Sequence, residues 1–145
     1  LVRRTLPDYK APFELIGFTV TVEKHHNILE VSDDNVTCDA VVEIQVEGHI
    51  KHNNAQGNGP VNAMDTATRK ALLEFYPNLS VVKLLDYKVR VVDQGAGTES
   101  MVRVLIDSTD GDVTWQTVGC SANIIEASWM ALQDSLEWWL LGQQR

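Results

Sequence analysis

A chain of 145 residues, 44% hydrophobic and 22% charged, fits one globular domain with a real core and excludes wholesale disorder. Its formal net charge of −8 opposes nucleic acid as a partner, because phosphate contacts need a basic face. No apolar run approaches the roughly 20 residues of a membrane span, so no membrane partner is expected.

Along the chain, Leu1 to Ala11 reads as the tail of a linker, and the missing starting methionine suggests a piece excised from a longer protein. A first strand is expected near Glu14 to Glu23, where Phe18, Val20 and Val22 alternate with Thr19 and Thr21. A long polar loop, Glu23 to Thr37, carries His25, His26, Asp33 and Asp34. A second strand near Ala40 to Glu47 reaches the turn signal Glu47-Gly48, and a third ends at Gln56. Gly59 and Pro60 open a helix with Val61, Met64, Thr68, Leu72 and Phe75 on one face, and Pro77 stops it. The same order follows again. Leu85, Tyr87, Val89 and Val91 alternate with polar residues, Ser100 to Asp107 forms a strand into Asp110-Gly111, and a third strand ends at Gln116. Ser121 is the expected cap of a second helix with Ile125, Trp129, Leu132, Leu136 and Leu140 as its stripe, ending near Gly142.

The repetition is visible in the residues themselves. Cys38 to Leu73 laid on Thr98 to Gln133, an offset of 60, matches Val42 with Val102, Gly59 with Gly119, Ala67 with Ala127 and Ala71 with Ala131. Leu15 to Val22 overlies Leu84 to Val91 at an offset of 69, which implies nine extra loop residues in the first copy. The expected fold is therefore α+β, two pseudo-symmetric βββα units with sheets backed by two helices, repeat one over 12–78 and repeat two over 80–142. A seam between two such units is a natural place for a small ligand or a second chain.

The segment Gln56 to Ala63 carries the strongest chemical signal. Its glycines admit close backbone approach, and the helix that follows points free N–H groups and a partial positive charge outward, an arrangement that favours a carboxylate. The plain alternative is a tight strand-to-helix turn. Leu85, Tyr87 and Val89 share an expected dry strand face that could surround an aliphatic side chain, or could be ordinary core. His25 and His26 are adjacent in a loop and His49 and His52 have odd spacing on a strand, so neither pair makes a metal site, and no metal is expected. No serine or cysteine has a base and orienting acid nearby in sequence, so the chain does not read as an enzyme. Cys38 and Cys120 fall at unrelated positions and read as reduced thiols of a cytoplasmic protein.

Three stretches together resemble the C-terminal regulatory domain of the isopropylmalate synthase and citramalate synthase family: Pro12 to Phe18, Gly57-Asn58-Gly59-Pro60-Val61, and Thr117-Val118-Gly119 with Asn123 to Trp129. The helix Asn123-Ile124-Ile125-Glu126-Ala127-Ser128-Trp129 is more similar to the citramalate branch. The resemblance covers nearly everything after Lys10. It implies a homodimeric domain, without a cofactor of its own, that binds a branched-chain amino acid, isoleucine in first place and leucine next. Residues 1–11 would then lead from an absent catalytic barrel, an acyltransferase needing a divalent metal, that condenses acetyl-CoA with a 2-oxo acid. Gly57, Asn58, Gly59, Pro60 and Val61 inherit the effector-contact role. Leu72, Phe75, Leu85, Tyr87 and Val89 fall near its pocket wall and Gln116 near its last strand. Cys120 and Ala122 depart from the polar helix start expected of the second turn, which makes the first turn the assigned cradle.

A ligand-free dimerisation module is the competing reading. Trp129, Trp138, Trp139, Leu140 and Leu141 put more apolar area on one helix than one stripe buries, so part of it is expected to meet another chain.

Overall fold

The computed structural model describes residues 11–25, 35–57, 59–92 and 101–143. The linker expectation for residues 1–10, most of the polar loop, and Asn58 lie outside the described residues. Six strands and two helices appear in the order expected: β1 Glu14–His25, β2 Asn35–Val46, β3 His49–Gly57, α1 Pro60–Leu72, β4 Lys83–Val92, β5 Met101–Thr109, β6 Thr114–Ser121 and α2 Ile124–Gln143. They form two antiparallel sheets, β1-β2-β3 and β4-β5-β6. β6 runs five residues beyond Gln116, further than the alternation suggested.

Each hairpin turn has a local cause. Glu47 at φ 50 and Gly48 at φ 81 form a two-residue turn whose left-handed backbone suits the twist of the flanking strands. In the second repeat, Asp110 Oδ1 accepts N–H bonds from Asp112 and Val113, at 2.9 and 2.8 Å. Its Oδ2 accepts the Trp139 indole N–H at 3.0 Å, which ties the hairpin to the end of α2.

The helices end where their side chains dictate. Pro60 fits the first turn of α1, and Arg69 and Lys70 oppose the negative end of its dipole. α1 stops at Leu72 rather than at Pro77, which instead begins a 3-10 turn, Pro77–Val81; Phe75 is therefore half-buried outside the helix. α2 is capped by Asn123 and not by Ser121. Asn123 Oδ1 accepts from Ile125 N–H and Glu126 N–H, while Ser121 Oγ accepts from Asn123 N–H one turn earlier.

Each helix covers the central and third strands of its own sheet. Ala40, Val42, Ile44 and Val46 of β2 meet Ala63, Met64, Ala67 and Leu72 of α1; Val104 and Ile106 of β5 meet Ala127, Ala131, Leu132 and Leu136 of α2. Small residues let helix and sheet approach closely. A Cβ at Gly119 would stand 2.0 Å from the Ala127 carbonyl oxygen and 2.8 Å from Ala131 N, so only hydrogen fits there. Buried polar groups at this contact are satisfied: Ser108 Oγ and Ser135 Oγ are 2.6 Å apart, and Trp115 Nε1 donates to Ser135 Oγ at 3.0 Å.

The sheets correct the internal register. Leu15 pairs with Ile44 and Leu84 with Ser108, an offset of 108 − 44 = 64, and the helices begin at Pro60 and Ile124, again 64 apart. The value 60 is wrong by four residues, which is two strand periods and about one helical turn, so the strand alternation and much of the helical stripe still superposed. The first-strand offset of 69 stands, because the ladder shifts between Leu15 and Gly17 and again between Leu84 and Asp86. The first hairpin is longer by 69 − 64 = 5 residues, not nine.

Apolar surface is only partly where it was expected. Trp129, Trp139 and Leu140 are buried within the chain, since α2 lies against its own sheet, against α1 and, through Trp129 stacked 6.0 Å from Phe18, against β1. Trp138 stays 40% exposed beside Trp115. The uncovered apolar face is β4, where Leu85, Tyr87, Val89 and Val91 are 58, 38, 40 and 69% exposed.

Two predictions follow from this packing. Gly119→Val forces α2 off the sheet and is expected to lower stability by about 1–3 kcal/mol in urea unfolding, while Gly59→Ala, whose Cβ meets open space, costs at most about 1 kcal/mol as a change of N-cap residue. Asp110 is held below the ordinary carboxylate range by Val113 N–H first, then by Trp139 and Asp112. Its contribution to stability is complete above about pH 4 and is lost as pH falls through the lowered folded value. Asp110→Asn should therefore flatten the acid limb of the melting temperature against pH; parallel limbs contradict this.

Candidate functional site

Among the described residues no side chain caps the first helix. Gly59 occupies the N-cap position with extended backbone, φ −163, and its carbonyl accepts the Ala63 N–H at 3.0 Å. Pro60 has no N–H to satisfy, which leaves the amides of Val61 and Asn62 as the first donors of the helix. Position 59 does not require glycine, because an added Cβ meets nothing within 4 Å. Gly57 does: a Cβ there would lie 2.6 Å from Asn62 Oδ1 and 2.7 Å from Ala63 N. The turn thus combines one glycine demanded by packing with one that the packing leaves optional.

The other expected site residues are distributed. Tyr87 and Val89 pair with the buried Ile106 and Val104 and so lie on the helix side of the second sheet, where Tyr87 Oη is 3.0 Å from Ser128 Oγ. Leu85 falls in the ladder irregularity and is exposed, as are Tyr87 and Val89, so this is not the dry face expected. Gln116 is on the opposite face, with its Nε2 donating to Asp107 Oδ1 at 2.9 Å. Leu72 is fully buried core, and Phe75 stacks on His49 at 5.8 Å. At about 1.5 Å of rise per residue these two stand roughly a helix length from Val61, and the structure does not bring them to the glycine turn.

Sequence reasoning missed a cleft at the seam. A cavity of about 470 Å³ opens between β1 and α2. Leu15, Phe18 and Val20 form its sheet wall; Ile125, Trp129 and Met130 form the helix wall, with Asn123, Glu126 and Gln133 supplying polar atoms. The structural offsets carry Phe18 and Val20 onto Tyr87 and Val89, and Asn123 and Ile125 onto Gly59 and Val61. Four of the residues singled out in the sequence, Gly59, Val61, Tyr87 and Val89, are thus the internal-symmetry equivalents of residues that line this cleft. A correct offset of 64 would have revealed the relation.

A second cavity, of about 670 Å³, lies where the chain leads into β1, between Pro12, Phe13, the Glu47-Gly48 turn and Tyr76. Tyr76 Oη donates to the Pro12 carbonyl at 3.0 Å, and burial, with Glu47 adding to it, pushes its phenol above the ordinary range. None of the expected site residues lines it. Arg69 binds Asp65 Oδ1 through Nε at 2.8 Å and reaches the carbonyls of Leu79 and Val82 through Nη1. Burial raises the Asp65 carboxyl, while Arg69 pulls the other way. Among the described residues no group of three or more His, Cys, Asp or Glu is placed to hold a metal, and no helix is long and apolar enough to cross a membrane.

Two βββα units, an uncapped glycine-proline helix start and a seam cleft agree with what comparison of the whole chain finds. Residues 1–140 match the LeuA allosteric (dimerisation) domain, and the chain belongs to that family. Within it, the chain is 50% identical over 138 residues to (R)-citramalate synthase of Geobacter sulfurreducens, 95% of this chain and 25% of that protein. It is 46% identical over 141 residues to (R)-citramalate synthase of Aquifex aeolicus, 97% of this chain and 26% of the relative. The 2-isopropylmalate synthase of Aquifex aeolicus is 33% identical over 105 residues, 72% of this chain and 19% of that protein. The likeness is thus stronger to the citramalate branch, and the chain spans about a quarter of the length of these two citramalate synthases. It is a regulatory and dimerisation domain of the citramalate synthase family.

Proposed function

We propose that this domain senses a branched-chain amino acid, isoleucine before leucine, and transmits feedback inhibition to a catalytic domain. That domain, metal-dependent and cytoplasmic, would condense acetyl-CoA with a 2-oxo acid. The observation that carries the reading is the uncapped start of α1. Its Val61 and Asn62 amides are donors without a side-chain cap, aligned with the positive end of the helix dipole and suited to an α-carboxylate. Gly59, optional for packing, keeps the approach open. The exposed apolar side chains of Tyr87 and Val89 offer aliphatic contact, worth roughly 25 cal/mol per Å² buried. Asn58 belongs to the same turn by sequence. Leu72, Phe75, Leu85 and Gln116 have less support, being distant, in the ladder irregularity or on the other face.

Inhibition requires that the effector bind two arrangements of the assembly unequally, since a ligand shifts an equilibrium only by its differential affinity. A coupling of about 1–3 kcal/mol is typical and sufficient. Titration calorimetry with isoleucine, leucine and valine should give heat for at least one of them. Gly59→Val should weaken that affinity about tenfold or more, equivalent to ~1.4 kcal/mol, with the domain still folded. Unchanged affinity refutes the placement.

The exposed β4 face favours a second reading, a dimerisation module without ligand. Both readings place a homodimer partner on this face. Val91→Lys is expected to shift sedimentation toward monomer; heat from none of the three amino acids, with a wild-type dimer, selects the second reading.

A further inference from the structure

We infer that the β1–α2 cleft is a twin of the effector niche that Asn123 and Glu126 close to an amino-acid carboxylate, so that each chain holds one effector and not two. This rests on the sensing reading above. The apolar half of the twin is intact: Phe18 and Val20 stand for Tyr87 and Val89, and Ile125 stands for Val61. The β1–α2 cleft of about 470 Å³ is therefore walled by the same kind of apolar side chain that the sensing reading assigns to the effector.

The polar half differs at two positions. Asn123 replaces Gly59, and its Oδ1 takes the N–H groups of Ile125 and Glu126 at 2.8 and 3.3 Å. These are the equivalents of the Val61 and Asn62 amides, so the donors that a carboxylate needs are already occupied. Glu126 replaces Asn62. Its carboxylate, held by Ser121 Oγ at 3.1 Å in the first turn of α2, lines the cleft beside the amides that an incoming carboxylate would approach. Like charges at such range in a partly enclosed cleft repel. The same helix dipole that would attract a ligand is answered from within the chain.

The test is binding stoichiometry of the folded domain with isoleucine, leucine and valine, read by calorimetry. Wild type is expected to take one equivalent per chain. Asn123→Gly with Glu126→Gln should take two, and Gly at an N-cap costs only a few tenths of a kcal/mol relative to Asn. The reciprocal transplant, Gly59→Asn with Asn62→Glu, should take none while melting no lower than wild type. Two equivalents in wild type, one in the opened variant, or one retained by the reciprocal transplant each overturns the inference. Should the opened variant fail to fold, the wild-type count and the reciprocal transplant decide the matter. A wild type that takes none of the three amino acids sinks the sensing reading itself, and the twin with it.

Discussion

Close approach of each helix to its sheet is the constraint from which the rest of this domain follows. At Gly119 the β6 backbone lies against the carbonyl of Ala127, and Ala63, Ala67, Ala127 and Ala131 line the facing helix surfaces. Larger side chains would hold the helices away, and the large core residues Ile44, Met64, Ile106 and Leu136 would then lose the dispersion contacts that a dense interior supplies. With both helices held down, they can also touch one another, which turns two small βββα units into one body with a single seam.

Duplication of structure has not meant duplication of chemistry. Corresponding helix starts carry Gly59 and Asn123, one leaving backbone donors uncapped and the other consuming them. Corresponding strands carry Tyr87 and Phe18, one half open with its hydroxyl on Ser128, the other stacked on Trp129. A repeated scaffold is free to specialise in this way, because the packing positions and the polar positions at the helix termini are different residues.

Much of the architecture was legible from the residues. Alternation in Phe18, Val20 and Val22 and in Tyr87, Val89 and Val91 marked strands, and Glu47-Gly48 marked a tight turn that the backbone makes. The repeat was visible, but its register was not: a slip of four residues largely preserves the strand and helix patterns, and the ladder partners Ile44 and Ser108, with the helix starts Pro60 and Ile124, distinguish the alternatives. Asn123 was overlooked as the cap because Ser121 is an equally good capping residue type, and sequence does not say which of two neighbours lies outside the first turn. The family of the chain was readable from Gly57 to Val61 and Asn123 to Trp129. The site was less so. Exposure of β4 depends on how far α2 reaches across its sheet, a tertiary fact that alternation cannot encode.

Arg69 joins elements that the two repeats otherwise keep apart. Its guanidinium spans Asp65 on α1 and two carbonyls, Leu79 and Val82, immediately before β4. The guanidinium thus links α1 directly to the root of the second sheet through a planar, multi-pronged strut. Lysine would carry the same charge but lacks the fork to grip three acceptors, so the linkage belongs to arginine's shape more than to its sign.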